Sequence, residues 1–322
     1  MTLFLRHDDV CASVSMEDAI VAMEDGFREE GEGQVLIPPR INMKAGNGWL
    51  RLGPAALERS GWVGFKAMNF SHGHGVRYQI HLYRTATGEL LSIMDAQHLT
   101  TLRTGATSAV ATRRLARKGS ATVGLLGSGA EARAQLDGMR ALGIVRSAKI
   151  FSRTEENRNR LAEEFRKRYE MDAFAVSSPE DAVVGSDIVL TAVKSSESVI
   201  RGKWLSPGMH INSVGTARRE QRELDCLTFQ RSDIIIVDTR DGVLGEAGDA
   251  VAAKDILASK EIFQLSDLVI DRVKGRQSDN QITLFKSVGT GLQDIALAAV
   301  VYQRALERGL GTRLGHFPKI KS

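Results

Sequence analysis

The chain has 322 residues, 43 % of them apolar and 25 % charged, with 43 Lys and Arg against 39 Asp and Glu for a net charge of +4. That length supports two domains with cores of their own. The small basic excess forms no block and aromatics are only 6 %, which excludes a dedicated nucleic-acid binder and suits an anionic small-molecule ligand. Cys11 and Cys226 are the two cysteines and neither belongs to a C-x-x-C pair, which argues against a disulfide framework or a zinc site. The first ten residues contain acids and no apolar run of signal-peptide length, and no stretch approaches the ~20 apolar residues of a membrane span. A cytoplasmic protein without membrane or nucleic-acid partners is therefore expected.

Residues 15–30 read as an amphipathic helix. Ser15 and Asp18 make a capping-box-like start, and Ala19, Ala22, Met23 and Phe27 recur at helical spacing. From 35 to 95 the pattern changes to short apolar or alternating runs between glycine-rich turns, at 40–43, 49–52, 62–68, 78–83 and 90–94, with Thr87-Gly88 as a hairpin turn. This predicts a mostly antiparallel sheet in a lobe of its own. An Ala- and Thr-rich helix is expected over 95–117, ending in basic residues that complement its dipole.

The stretch Val123-Gly124-Leu125-Leu126-Gly127-Ser128-Gly129-Ala130-Glu131-Ala132 organises the second half. An apolar run suited to a strand buried on both faces leads into G-x-G-x-x-A and then a helix. Gly127 allows the tight turn, Gly129 lets the backbone approach a pyrophosphate, and Ala132 lets the helix lie close to the strand. The helix amides and dipole then face the phosphates. Strands are expected at 148–152, 172–176, 187–193, 209–214 and 233–238, with helices at 154–169, from Pro179, from 242 to about 258, and at 292–308. This alternation predicts a Rossmann-type α/β fold, a doubly wound parallel sheet, beside a smaller α+β domain. The expected division is 1–115 with 289–322 for substrate binding and dimerisation, and 116–288 for the dinucleotide. The tail from Gly309 is expected to fray.

An acidic residue at the tip of the second strand would bind the ribose 2′-hydroxyl of NAD, and a basic one would take the 2′-phosphate of NADP. Here the tip reads Ser152-Arg153-Thr154 with Asn157 close behind. Arg153 offers a guanidinium fork to a phosphate, so NADP(H) is expected over NAD(H). His72 and His74 form an H-x-H without an evident third ligand, which reads as a loop and no metal site. Glu246 and Asp249 read as helix-start caps, and Asp294 as an early-helix acid.

Three basic residues stand out in the first lobe. Arg40 follows the stiff Pro38-Pro39, Lys66 lies in the apolar run Trp62-Val63-Gly64-Phe65-Lys66, and Arg103 opens Arg103-Thr104-Gly105. A basic residue in an apolar strand needs an anion or an outward face.

These segments, with Met94-Asp95, the glycine loop, Ile211-Asn212-Ser213-Val214-Gly215, Arg222-Glu223-Leu224-Asp225 and Thr283-Leu284-Phe285-Lys286-Ser287-Val288-Gly289, resemble the ornithine cyclodeaminase/mu-crystallin family. The resemblance implies a homodimer in which the first lobe binds substrate and the last helix returns to that lobe. It implies that Arg40, Lys66 and Arg103 hold a carboxylate and the adjacent amine or imine. It also implies that Arg103, Thr104, Val193 and Ser287 lie by the cofactor, with Gly127, Gly129, Ala130, Glu131, Arg153, Thr154 and Asn157.

The cyclodeaminase and alanine dehydrogenase branches carry an aspartate in a G-x-D stretch after that strand, where it moves protons to and from the amine. This chain has Gly215-Thr216-Ala217, and a methyl group is no base. The ketimine reductase branch is similar in lacking the aspartate and in Arg153-Thr154-x-x-Asn157. The expected reaction is therefore NADPH-dependent reduction of a cyclic imino acid, 1-pyrroline-2-carboxylate or 1-piperideine-2-carboxylate, to proline or pipecolate. Alignment of the imine carbon with the nicotinamide, between the lobes, would supply roughly 7–11 kcal/mol. Lys66, the expected catalytic residue, either keeps the imine proton in place or joins the carboxylate clamp. Alternatives are an ornithine cyclodeaminase, another amino-acid or opine dehydrogenase, or a non-catalytic NADPH-dependent binding protein.

Overall fold

The chain opens with β1 (Leu3–Leu5) and α1 (His7–Ser13), two elements that the sequence pattern did not predict, and continues into α2 (Met16–Gly31). The Ser15 hydroxyl accepts a hydrogen bond from the Asp18 amide, and the Asp18 carboxylate accepts one from the Ser15 amide. This reciprocal cap sets the start of α2 as expected. There follow β2 (Val35–Leu36), β3 (Ile41–Ala45), β4 (Gly48–Leu57), β5 (Trp62–Ser71), β6 (Gly75–Arg84) and β7 (Leu90–Asp95), then α3 (Gln97–Leu115). Gly88, at φ +67°, turns β6 into β7, and His72 and His74 lie in the tight turn between β5 and β6.

The alternating half comprises β8 (Ala121–Leu126), α4 (Ala130–Ala141), β9 (Val145–Phe151), α5 (Glu155–Tyr169), β10 (Asp172–Ala175), α6 (Pro179–Val183), β11 (Ile188–Thr191), β12 (His210–Ser213), α7 (Cys226–Arg231) and β13 (Ile234–Val237). The helix expected after residue 242 is three short pieces, α8 (Arg240–Glu246), α9 (Gly248–Ala252) and α10 (Lys254–Leu257), before β14 (Ile262–Gln264), α11 (Leu265–Val269) and β15 (Thr283–Lys286). The chain then enters α12 (Gly291–Glu307) and β16 (Thr312–Arg313).

The computed structural model describes residues 2–119, 121–315 and 317–318. It divides into two units, Met1–Arg103 with Thr290–Ser322, and Thr104–Gly289. The division falls inside α3 and not after residue 115, because the second part of that helix lies tight on α4. A Cβ added to Gly105 would stand 2.1 Å from the Ala134 carbonyl oxygen, and one added to Gly138 would stand 2.7 Å from that of Gly105.

In the first unit the sheet order is β16-β1-β7-β6-β5-β4-β2, with β3 on β4. Neighbours are antiparallel except β1 with β7. Part of the tail expected to fray is instead the edge strand β16, paired with β1; residues 316 and 319–322 of that tail lie outside the described residues. Helix α12 lies close on the sheet, since a Cβ at Gly291 would meet the Pro54 carbonyl oxygen at 2.3 Å. Its buried Leu292, Ile295, Leu297 and Val301 build the core of this unit.

In the second unit the order is β10-β9-β8-β11-β12-β15-β13-β14, parallel throughout. β8, β11 and β13 are buried along their whole length, as strands covered on both faces must be. The winding direction reverses between β8 and β11, the switch point at which doubly wound folds bind nucleotides.

Candidate active site

Lys66 sits in β5 directly opposite Gly53 of β4 and Ile80 of β6. Residues opposite one another in antiparallel strands share a face, so Lys66 shares that of the fully buried Ile80. Gly53 supplies no side chain there, and a Cβ added to it would meet nothing within 4 Å, which leaves open space beside the lysine. The Lys66 ammonium donates to Asp294 Oδ1 at 2.8 Å and to Thr100 Oγ1 at 3.4 Å. It also stands 5.9 Å from the centre of the Tyr78 ring. Arg103 donates from Nε to the same Asp294 oxygen at 3.1 Å and from Nη1 to Gln293 Oε1 at 2.7 Å. All three charged side chains are nearly sealed, at 6 % exposure for Lys66, 10 % for Arg103 and 4 % for Asp294.

Burial pushes the Lys66 ammonium down to about 8; Asp294 opposes that, and the positive charges of Arg103 and Arg40 add to it. Arg40 thus acts on the same cluster from the segment before β3. Lys66 and Arg103 share the carboxylate of Asp294 while Arg40 acts on the same lysine, a concentration of positive charge that suits a bound anion. Asp294 is more than the early-helix acid expected from the sequence. A signal for it was present: Gln293-Asp294 is a polar pair at the start of an otherwise apolar helix.

In the second unit Gly127, Gly129, Arg153, Thr154, Val193 and Ser287 follow the carboxyl ends of their strands, whereas Arg103 belongs to the first unit, on Asp294 and Gln293. Gly127 has φ +120°, and a Cβ there would stand 2.8 Å from the Ala192 carbonyl oxygen. Gly129 is the N-cap of α4, and a Cβ added to it would meet nothing within 4 Å. The open side of that loop, facing the first amides of a helix at the switch point, fits a dinucleotide pyrophosphate. Ala130 and Glu131 are the first residues of that helix. The loop is fastened to the tip of β9 by the Gly127 amide on the Phe151 carbonyl at 2.9 Å and by Ser128 Oγ to Ser152 Oγ at 3.0 Å. Arg153 and Thr154, the latter the N-cap of α5, are exposed there. The Asn157 amide oxygen accepts from Arg160 at 2.8 Å. Thr104 is buried in α3.

Val193 follows β11, and its amide donates to Glu223 Oε1 at 2.8 Å. Ser287 follows β15, and its hydroxyl donates to Asp238 Oδ2 at 2.6 Å. Beneath these strand ends lies a network that the sequence reading missed. Lys286 is completely buried and donates to Asp249 Oδ2 at 2.9 Å and Ser213 Oγ at 2.7 Å. Glu223, also completely buried, lies 3.6 Å from the same ammonium. Asp249 lies in the first turn of α9, as the helix-start reading expected, but does more than cap: its carboxylate faces the lysine and accepts from the Glu223 amide at 3.1 Å. The available signal was Lys286 in Thr283-Leu284-Phe285-Lys286, again a base in a buried strand that needs an anion. Ala217 is half-buried against the apolar core of this unit.

The family model of the ornithine cyclodeaminase/mu-crystallin family matches residues 1–309. Among solved structures, a Thermococcus litoralis Delta(1)-pyrroline-2-carboxylate reductase in complex with NADH and L-proline is 34 % identical, with a TM-score of 0.91 over 97 % of this chain and 100 % of that one. An archaeal alanine dehydrogenase dimer with bound NAD is 30 % identical, with a TM-score of 0.92 over 98 % and 99 %. Ketimine reductase mu-crystallin of Mus musculus is 31 % identical over 86 % of this chain and 87 % of its own length.

Proposed function

Since this chain belongs to the ornithine cyclodeaminase/mu-crystallin family, we propose that it reduces a cyclic imino acid, 1-pyrroline-2-carboxylate or 1-piperideine-2-carboxylate, to proline or pipecolate. The observation that carries this reading is the first-unit cluster in which Lys66 and Arg103 converge on the carboxylate of Asp294 while Arg40 acts on the same lysine. Its concentration of positive charge suits a substrate carboxylate, which the two arginines would bind, with Lys66 beside the imine nitrogen. A dinucleotide held by Gly127, Gly129 and the start of α4 would supply the hydride. The half-buried methyl of Ala217 offers no proton transfer, which favours reduction of a preformed imine over release of ammonia from an amine. The relatives that carry pyrroline-2-carboxylate reductase and ketimine reductase names support the same chemistry.

For the cofactor we propose NADP(H), supported by Arg153 at a strand tip without an acid. NAD(H) is the second reading, favoured by the NADH bound to the Thermococcus relative. The proposal includes a cytoplasmic homodimer, the latter supported by the dimeric alanine dehydrogenase relative. Among the described residues no helix is long and apolar enough to cross a membrane.

The test is oxidation of NADPH and of NADH, in parallel, with five- and six-membered cyclic imino acids. Turnover that falls at least ~100-fold in Arg40→Ala is expected, since a charge-assisted bond to a carboxylate is lost from a desolvated site. Ammonia release from ornithine without added imine, or undiminished catalytic efficiency in Arg40→Ala, would overturn the substrate assignment.

A further inference from the structure

With alanine at position 217, the proton that an imine nitrogen gains on reduction needs another source. We propose that Asp294 is the positioning residue that keeps the Lys66 ammonium charged and aimed, so that Lys66 delivers that proton. The inference rests on the reading above that Lys66 stands beside the imine.

The geometry supports it in three ways. Among the described residues Asp294 is the one carboxylate paired with Lys66, at 2.8 Å, and it reaches the lysine from α12 while Lys66 comes from β5. The same oxygen also receives Arg103 Nε at 3.1 Å, so the carboxylate is clamped between two cations and its direction is set. Finally, an ammonium has three donors, and Asp294 and Thr100 take two of them. The third donor has no hydrogen-bond acceptor among the described residues, and is the one a ligand nitrogen would take.

The groups facing Lys66 are Asp294 from α12, Arg103 and Thr100 from α3, Arg40 from the segment before β3, and the Tyr78 ring from β6. Burial and the two arginines disfavour the charged lysine, and Asp294 alone among these favours it strongly. Without that carboxylate Lys66 would be a neutral amine over more of the working pH range and could not donate. The step balances as follows. The imine nitrogen takes a proton from the Lys66 ammonium, and the imine carbon takes a hydride from a reduced nicotinamide dinucleotide. The C=N π bond is lost, and the neutral Lys66 amine recovers its proton from water.

Two readouts test this on the full chain. The first is a pH titration of the Lys66 side-chain 13Cε resonance, assigned through Lys66→Arg, in the wild type, Asp294→Asn and Asp294→Glu. The second is the pH profile of kcat/KM for imine reduction in the same three proteins. We expect the Lys66 midpoint in Asp294→Asn to drop by at least about one pH unit, as loss of a close counter-charge implies. The alkaline limb of kcat/KM should move down with it. The deficit should be at least ~5-fold near pH 8, approach ~10-fold at higher pH, and be small near pH 6, where Lys66 is protonated in either protein. Asp294→Glu should restore both. A purely structural role would lower activity equally at every pH. An unmoved Lys66 midpoint, or a moved midpoint with an unmoved kinetic limb, overturns the inference. A moved midpoint in a wild type that reduces no cyclic imino acid with either cofactor leaves Asp294 as the residue that charges Lys66, and overturns the proposed substrate instead.

Discussion

The ammonium of Lys286 lies 2.9 Å from the carboxylate of Asp249, with both side chains at 0 % exposure. Around this pair the carboxyl ends of β11, β12 and β15 are fastened together. Lys286 ends β15, Ser213 ends β12, and Glu223 accepts from the Thr191 hydroxyl at the end of β11 at 2.9 Å and from the Gly215 amide at 2.9 Å. Burial pushes the Glu223 carboxyl up, and Lys286 opposes the shift. Two acids and one base sealed from water depend on one another, because removing one partner leaves a buried charge uncompensated. Lys286→Met should therefore cost about 3–5 kcal/mol of stability. The triple variant Lys286→Met, Glu223→Gln, Asp249→Asn should be more stable than Lys286→Met alone. Urea midpoints of the three proteins decide this, and a triple variant less stable than the single one would show that hydrogen-bond geometry, not charge balance, holds the strand ends.

The two glycines of the nucleotide loop should fail differently. Gly127 holds φ +120° against the Ala192 carbonyl, so Gly127→Ala should lower stability by roughly 1–3 kcal/mol as well as nucleotide affinity. Gly129 has open space before it and an extended backbone at φ −76°. Gly129→Ala should leave the Tm of the ligand-free protein within a degree or two and still weaken dinucleotide binding. Calorimetric Tm and fluorescence titration with reduced dinucleotide separate the two; equal loss of Tm would show that the space at Gly129 is structural.

Arg153 bears on cofactor choice. Its exposure at the tip of β9 means that its replacement leaves the core untouched. Arg153→Ala should weaken NADPH by about 10- to 100-fold, the worth of a charge-assisted bond of ~1.5–3 kcal/mol, and change NADH by less than about threefold. Dissociation constants for both nucleotides, at one salt concentration, check this. Equal changes for the two would remove Arg153 from the 2′-phosphate.

His210 makes the fold sensitive to acid. Its ring is fully buried between the hydroxyls of Thr112, at 3.1 Å, and Thr283, at 2.9 Å. Burial pushes it down to about 3, with Arg276 adding to the effect. The unfolded chain takes up this proton near pH 6.5, and the folded chain does not until about 3. Protons are therefore in excess on the unfolded side throughout this window, and acid favours unfolding by up to ~1.4 kcal/mol per pH unit. His210→Gln should lack this component. Urea unfolding at pH 7.5, 5.5 and 4.5 should show wild-type stability falling more steeply than that of the variant; parallel slopes would mean that His210 is protonated in the fold.

Local pattern was enough for much of this molecule. The α2 cap, the antiparallel runs of the first unit, the glycine loop between β8 and α4, and the alternation of buried strands with helices all depend on neighbours a few residues apart. Arg40, Lys66 and Arg103 were visible because charge in an apolar or stiff setting is conspicuous at short range. What only the tertiary structure decided is which distant groups answer those charges. Asp294 is 228 residues from Lys66, and Asp249 is 37 residues from Lys286; no periodicity connects such pairs. The insertion of β15 between β12 and β13, the pairing of β16 with β1, and the division inside α3 likewise follow from which surfaces bury one another. Helix and strand periods are properties of the local backbone, whereas the partner of a buried charge is chosen by desolvation across the whole fold.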